Sequence, residues 1–516
     1  MKQKPKSIEE ALWQSCDKLR GSVESSEYKH VVLGLIFLKF ASDKFIHCRD
    51  KLIKQGKKKY IEMKEFYNMS NVFFLEEHSR WDFIIKNAKQ NDIALKIDTA
   101  LSTIEKNNPA LKGALPDNYF SRLGLDTEKL ATLIDKINDI NTLSDAQNDI
   151  VGRVYEYFLS HFASKEGKGG GEFYTPKCVV QLLSQMLEPY QGIIYDPACG
   201  SGGMFVQSVE FITQHHGNKK EVSIYGQEYT QTTYKLAKMN LAIRSISANL
   251  GVVPADTFFN DQHPDLKADF ILANPPFNQK AWRNKNELTE DARWAGYPTP
   301  PAGNANYAWI LHMLSKLSVS GTAGFVLANG SMSSNTSGEG DIRQQIINND
   351  LVDCMIALPG QLFYTTQIPV CLWFLTRDKT KQTFTDQRGS HRNRTGETLF
   401  IDARNLGLMI DRVHKQLTTE DIEKITRTYH AWRGEAKDGD YQDVLGFCKS
   451  TTIDEIKAND YVLTPGRYVG VEEQEDDSEA FEILMQDLTQ TLFKQMSEAK
   501  KLDQDIKQNL KGLGYE

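Results

Sequence analysis

Asn274-Pro275-Pro276-Phe277 closes the hydrophobic run Ile271-Leu272-Ala273. Two prolines end a strand, because neither supplies a ladder donor. Each also pushes the residue before it into extended backbone. The turn therefore presents two acceptors, the Asn274 side-chain oxygen and the Pro275 carbonyl, with no N–H from either proline to compete. Such a pair suits the exocyclic amine of a nucleobase. That nitrogen is a poor nucleophile, since its lone pair is delocalised into the ring. Holding both hydrogens favours a more pyramidal nitrogen with its lone pair aimed at a methyl donor. Phe277 offers a flat face for the base to stack on. No covalent intermediate or formal general base is needed, and positioning supplies most of the barrier reduction. Read alone, the same four residues also describe a strand-ending turn with a core phenylalanine.

The setting decides between the two. The stretch IIYDPACGSGGMF (193–205) reads as a strand, an acid, a tight glycine turn and a helix start, and the Asn274 turn follows Asp196 by 78 residues. Gly200, Gly202 and Gly203 let backbone approach a ligand closely. Taken alone, a glycine turn is also consistent with a tight strand-to-helix corner. A dinucleotide fingerprint requires a third glycine where Phe205 stands. Asp196, directly before the turn, would repel a pyrophosphate and favours a cationic or amine-bearing ligand. S-adenosylmethionine, with a sulfonium, an α-amino group and no phosphate, fits that preference. Glu228 closes the next strand, where a carboxylate accepts both protons of a ribose diol. Asp256 follows the third strand, placed to accept from an adenine amino group or, equally, to cap a turn.

These residues need a sheet to carry them. Between 177 and about 376, short apolar runs (GIIYD, VSIYGQE, ADFILAN, GTAGFVLAN, VDCMIALP, VCLWFL) alternate with helical patterns. That alternation predicts an α/β fold with a doubly wound, mostly parallel sheet, whose ligands bind beyond the carboxyl ends of the strands. Residues 1–165 read as a helical N-terminal domain, 166–430 as the catalytic domain, and 431–516 as a C-terminal region. The last of these ends in a long amphipathic helix (479–510) with Phe481, Leu484, Leu488, Leu492 and Met496 near one face. That helix is expected to pack on a partner, with intramolecular docking as the alternative.

Of the net charge of −7, the whole resides in residues 471–516, which hold 12 acidic and 5 basic side chains; the first 470 residues are balanced. Any nucleic acid is therefore bound by local patches or with a partner's help, and not by a bulk positive field. Seven cysteines without a CxxC pair argue against a disulfide framework and a zinc site, and point to the cytoplasm. No signal peptide or membrane span is evident, and no metal site is expected. His215-His216 lacks further ligands at metal spacing. Cys199 sits inside the glycine turn, away from the Asn274 turn, so a cysteine-nucleophile mechanism is rejected. The polar, aromatic-spiked segment 278–304 is expected to be a mobile loop over the substrate base. The basic run 376–397 (Arg377, Lys379, Lys381, Arg388, Arg392, Arg394) reads as a solvated loop or a phosphate contact.

With these motifs in order, the chain resembles the modification (M) subunits of type I restriction–modification systems, a DNA adenine-N6 methyltransferase family. GEFYTP (171–176), DPACGSGGMF, NPPF, NANYAWILHML, GTAGFVLANGSM, LPGQLFYTTQIPVCLWFL and LFIDARNLG carry the resemblance over nearly the whole chain. It implies Asn274, Pro275, Pro276 and Phe277 as catalytic and base-holding. It implies a cofactor site of Glu172, Phe173, Tyr174, Thr175, Asp196, Ala198, Gly200, Ser201, Gly202, Gly203, Glu228 and Asp256. Asp256 departs from the family pattern, because Pro254-Ala255 precedes it where a glycine is expected. As partners the resemblance implies double-stranded DNA, a separate specificity subunit, a second copy of the chain and a nuclease/translocase subunit. Three other readings compete. A glutamine-side-chain methyltransferase would carry tyrosine at position 277 and lack the large helical region. A non-catalytic assembly subunit has no physical reason to keep Asn274 in its turn. A nicotinamide oxidoreductase is opposed by the missing third glycine.

Overall fold

The computed structural model describes Trp13 and residues 25–140, 157–158, 175–363, 368–470 and 480–512. Thirteen strands follow in chain order: β1 Gly192–Asp196, β2 Val222–Gly226, β3 Ala248–Asn249, β4 Ala268–Ala273, β5 Leu317–Ala328, β6 Val352–Ala357, β7 Val370–Thr376, β8 Gln382–Thr383, β9 Ser390–His391, β10 Glu397–Asp402, β11 Leu408–Met409, β12 Lys415–Gln416 and β13 Cys448–Thr452. Nine of them form one sheet in the order β13-β10-β6-β7-β5-β4-β1-β2-β3; β8–β9 and β11–β12 are separate hairpins. Within the large sheet only β7 and β13 run antiparallel to their neighbours. The chain crosses from β1 outward to β3, then returns to place β4 beside β1. That reversal puts the ends of β1 and β4 side by side, the switch point where such sheets bind ligands.

Both faces of the sheet are covered, and its central strands read as continuous apolar runs for that reason. Every residue of β6 and β7 is buried. Alternate residues of β4 serve opposite faces: Phe270 and Leu272 pack with Val179, Leu183 and Phe205, while Ile271 and Ala273 pack with Trp309, Leu311 and Trp373. The mostly parallel α/β sheet expected from the alternation is what the chain forms.

The N-terminal region is helical, with long helices Ser25–Lys54, Ile93–Asn107 and Thr127–Asn138. Its core of Phe37, Phe45, Trp81, Ile97, Leu101, Leu130 and Ile134 also takes in Leu236, Met239 and Ile243 from the helix Gln231–Ile243 of the sheet region. Lys235 and Lys238 of that helix donate to the carbonyls of Leu115 and Lys112.

The boundary expected at residue 430 is not a structural one. The helix Thr419–Arg433 runs across it, and β13 adds the sheet's outermost strand beyond it by pairing with β10. CKSTT is polar enough to hide as a strand, because an edge strand need bury only part of its surface. The compact unit continues to Val469, and Gly470–Glu516 form a second unit. In that unit the helix Ala480–Gly512 exposes Met485, Leu492, Phe493, Met496, Leu502 and Ile506. The side chains of Phe481, Leu484 and Leu488 lie outside the described residues. Among the described residues no helix is long and apolar enough to cross a membrane.

Candidate active site

β1 delivers Asp196 to the sheet edge 1 % exposed. Its Oδ1 accepts the Ala198 N–H at 3.0 Å. The ladder continues past the strand, with Gln227 N–H on the Asp196 carbonyl (3.0 Å) and Cys199 N–H on the Gln227 carbonyl (2.9 Å). The chain then reverses through Gly200 (φ +55°) and Gly202 (φ +79°), left-handed conformations that favour glycine. A Cβ on Gly202 would touch Leu241 at 3.4 Å, whereas one on Gly200 or Gly203 would point into open space. Thus Gly202 serves the turn's packing, and Gly200 and Gly203 keep the cleft free.

Glu228, half-buried just after β2, spans the turn. Its two carboxylate oxygens accept the N–H groups of Gly200 (3.1 Å) and Thr230 (2.8 Å). Burial pushes the Asp196 carboxyl up to about 8, against the pull of the Ala198 N–H and with the Glu228 charge adding to the rise. A buried acid beside a second acid is stabilised by a cationic ligand, not an anionic one. A cleft opens beside this turn. Thr175, Lys177, Asp196, Ala198, Gly200, Ser201, Gly203 and Asn274 are among its lining residues.

β4 brings Asn274 to the mouth of this cleft. Its Nδ2 donates to the Thr175 hydroxyl at 2.9 Å, while its Oδ1 is buried without a hydrogen-bond partner. A buried acceptor left open costs about 1–3 kcal/mol, so an unfilled Oδ1 at a ligand cleft marks where a donor belongs. Phe277 is 8 % exposed and meets Phe363 edge-on at 5.6 Å between ring centres. The turn is clamped from behind. Asn278 (φ +51°) donates its N–H to Asn306 Oδ1 (3.0 Å), and Asn306 Nδ2 donates back to Asn278 Oδ1 (2.9 Å).

The predicted site residues thus converge in part. Thr175, Asp196, Ala198, Gly200, Ser201, Gly203 and Asn274 share one cleft; Glu228 braces its turn, and Gly202 faces the helix behind. Asp256 does not line the cleft: its Oδ1 accepts the N–H groups of Phe258 (2.8 Å) and Phe259 (3.3 Å), the capping alternative. Glu172, Phe173 and Tyr174 lie outside the described residues.

Sequence reading missed three supports. Asn240 Nδ2 holds the Ser201 carbonyl at 2.7 Å. Gln227, fully buried, donates to the Ala255 and Asn260 carbonyls and accepts the Gln262 N–H. Asn306 is the third. The one signal available was an amide residue in an apolar setting, as in YGQE and NANYAW.

Two expectations about loops are corrected. Segment 278–304 is not a loose flap: Trp282 and Trp294 are buried, and Arg283 donates to the carbonyls of Glu287 and Pro300. Arg293 donates to those of Thr257 and Phe258. Trp282 and Trp294 join the core on one face of the sheet, with Phe258 and Trp309. The basic run is likewise engaged internally. Lys379 pairs with Asp350, Arg388 with Asp386, Arg392 with Glu397 and Arg394 with Asp353.

Residues 146–477 match the N-6 DNA methylase family, and residues 8–137 match the HsdM N-terminal domain. The chain belongs to the N-6 DNA methylase family. Within it, the type I restriction enzyme HindI methylase subunit of Haemophilus influenzae is 52 % identical over 437 residues, 83 % of this chain and 94 % of that one. The MjaIX methylase subunit of Methanocaldococcus jannaschii is 38 % identical, with 98 % of this chain and 92 % of that one aligned. The same fold recurs in the type I restriction–modification methyltransferase subunit of Streptococcus thermophilus, with a TM-score of 0.73 at 23 % identity, covering 90 % of this chain and 99 % of that one. The chain is therefore a type I methylase subunit, an adenine-specific DNA methyltransferase with the methyltransferase fold. In this methylase Asn306 braces the backbone just after the Asn274 turn through Asn278. Asn306→Ala is expected to lower kcat by up to about a hundredfold, because misplacing a reacting group by roughly 1 Å costs that much. The KM for cofactor should stay unchanged, and steady-state kinetics separates the two.

Proposed function

We propose that this methylase transfers a methyl group from S-adenosylmethionine to the N6 amine of an adenine extruded from double-stranded DNA. The observation that carries the reading is the buried, unpartnered Asn274 Oδ1 at the mouth of an acidic, glycine-walled cleft. S-adenosylmethionine, held there, supplies a methyl group on a cationic sulfur. Asp196 would face its positive end, Gly200 and Gly203 would leave room for it, and Glu228 would hold the ribose hydroxyls. The family resemblance assigns Glu172, Phe173 and Tyr174, outside the described residues, to the methionine end of the cofactor.

At the other side of the cleft Asn274 Oδ1 takes one amine hydrogen and the Pro275 carbonyl the other. Thr175 fixes the Asn274 amide so that its oxygen, and not its nitrogen, faces the base. Pro276 keeps the turn rigid, and Phe277 backs the base. As the N–C bond would form and the methyl–sulfur bond break, its electron pair returning to the sulfur as a neutral thioether, the two acceptors would stabilise the positive charge developing on the amine, whose surplus proton leaves to solvent.

Site choice comes from a separate specificity subunit, in a complex holding a second copy of this chain. A nuclease/translocase subunit joins for restriction, and the complex works in the cytoplasm. The exposed apolar row of the helix Ala480–Gly512 supports assembly through that element. Truncation after residue 470 is expected to abolish co-purification with the specificity subunit, and retained assembly would refute the assignment. Within one compact unit that runs to Val469, the helical region 1–165 and the catalytic region serve separate roles, with the C-terminal helix as the assembly element.

The deciding experiment supplies labelled S-adenosylmethionine and unmethylated DNA, with and without the specificity subunit, and identifies the product base. Label in N6-methyladenine only when the partner is present supports the reading; label on protein, or none, overturns it. Binding carries a pH signature. Asp196 must be charged to meet a cation, so affinity should rise toward pH 8 by at most about tenfold per unit. In Asp196→Asn calorimetry should show a weaker and flatter profile.

A further inference from the structure

The hairpin β11–β12 exposes an apolar tip. Leu408 is 65 %, Met409 47 %, Ile410 49 % and Val413 47 % exposed, although nothing in a two-residue-by-two-residue hairpin forces large apolar side chains into water. Its root is fixed. Leu417 is 2 % exposed in the core, and Gly407 N–H donates to Asp421 Oδ2 at 3.1 Å.

Two contacts tie the second strand and root of the hairpin to chain segments that border the catalytic edge. Lys415 N–H donates to the Gln361 carbonyl at 2.9 Å, and Gln361 lies two residues before Phe363, the ring packed on Phe277. On the other side the Leu417 backbone hydrogen-bonds the Cys178 thiol, next to Lys177 of the cleft lining. The tip also carries Arg412, exposed, Lys415, half-buried, and Asp411, whose carboxylate is engaged by the His414 ring at 2.6 Å and by the N–H groups of Val413 and His414. An apolar tip with cationic flanks, at the edge where a base must leave its helix, fits one ligand chemistry. It matches a duplex whose stack has been opened, an apolar gap bordered by phosphates. Apolar wedges of Leu, Ile and Met are what duplex-distorting proteins insert between base steps.

We propose that the Leu408–Val413 tip enters the duplex beside the extruded adenine and fills the opened stack, while Arg412 and Lys415 meet the flanking phosphates. This rests on the adenine-methylation reading above. The test uses the assembled complex with its specificity subunit and a triple variant, Leu408→Ser, Met409→Ser and Ile410→Ser. Two duplexes are compared: one fully paired, and one with an abasic site opposite the target adenine, which no longer needs to be pried out. On the paired duplex kcat/KM is expected to fall by at least about tenfold, and on the abasic-partner duplex to stay within about twofold of the unsubstituted complex. Equal losses on both duplexes, with weakened subunit association, would make the tip a protein-docking face and overturn the proposal. Unchanged rates on both would overturn it as well. If the unsubstituted complex methylates neither duplex, the adenine-methylation reading itself fails.

Discussion

Asn274→Ala is expected to lower kcat for methyl transfer by about a hundred- to a thousandfold, the cost of removing one preorganised hydrogen-bonding group from a developing charge. Cofactor affinity, measured by calorimetry, should hardly change. The reason is geometric. The substitution deletes the open acceptor Oδ1 and the donor to Thr175, but none of the contacts that shape the glycine turn. Asn274→Asp restores an acceptor while losing the Nδ2 donor, so it should recover part of the rate. Thr175→Val leaves the amide in place with an unpaired donor and costs less, about tenfold. A loss of cofactor binding parallel to the loss of rate in Asn274→Ala would show that Asn274 shapes the cleft instead of holding the amine.

The second large effect is on stability. Arg394→Met should destabilise the protein by about 3–5 kcal/mol in urea unfolding, because it strands a buried charge. Arg394 is 2 % and Asp353 1 % exposed, 3.3 Å apart, and Asp353 also accepts the Tyr429 hydroxyl at 2.6 Å. Burial alone would raise the Asp353 carboxyl; Arg394 and Lys379 outweigh it and hold it below the ordinary carboxylate range. A depressed acid stabilises the fold above its unfolded pKa, and that contribution is lost as pH falls through the folded value. The penalty in Arg394→Met should therefore shrink in acid. Adding Asp353→Asn should recover part of it at neutral pH, since removing both charges is far cheaper than removing one. Additive losses in the double variant would show that the two side chains do not act as a pair.

What could be read from the sequence was what the backbone itself enforces. Prolines 275 and 276 and glycines 200, 202 and 203 restrict or free φ wherever they stand, so the two turns announced themselves without knowledge of their neighbours. The alternation of apolar runs and helical patterns likewise gave the sheet. Illegible were the residues whose meaning depends on a partner far along the chain. Asn306 matters because Asn278 lies opposite it, and Asn240 because Ser201 does. The run from Arg377 to Arg394 looked solvated because its acids, Asp350 and Asp353, lie 29 and 41 residues away from Lys379 and Arg394. Segment 278–304 looked like a mobile loop because nothing local shows that Trp282 and Trp294 are buried with Phe258 and Trp309. β13 was lost for the opposite reason: its pattern is too polar to stand out, and only its pairing with β10 makes it a strand.

The helix Gln231–Ile243 has two loyalties. Leu236, Met239 and Ile243 belong to the core of the N-terminal helical region, while Asn240, between them, holds the glycine turn by the Ser201 carbonyl. A shift of the helical region against the sheet cannot be absorbed by that helix without reaching the turn within one residue. A partner that shifts this helix on binding the helical region is therefore expected to alter the hold of the glycine turn on a ligand, and by reciprocity a ligand in the turn would alter that partner's affinity by the same factor.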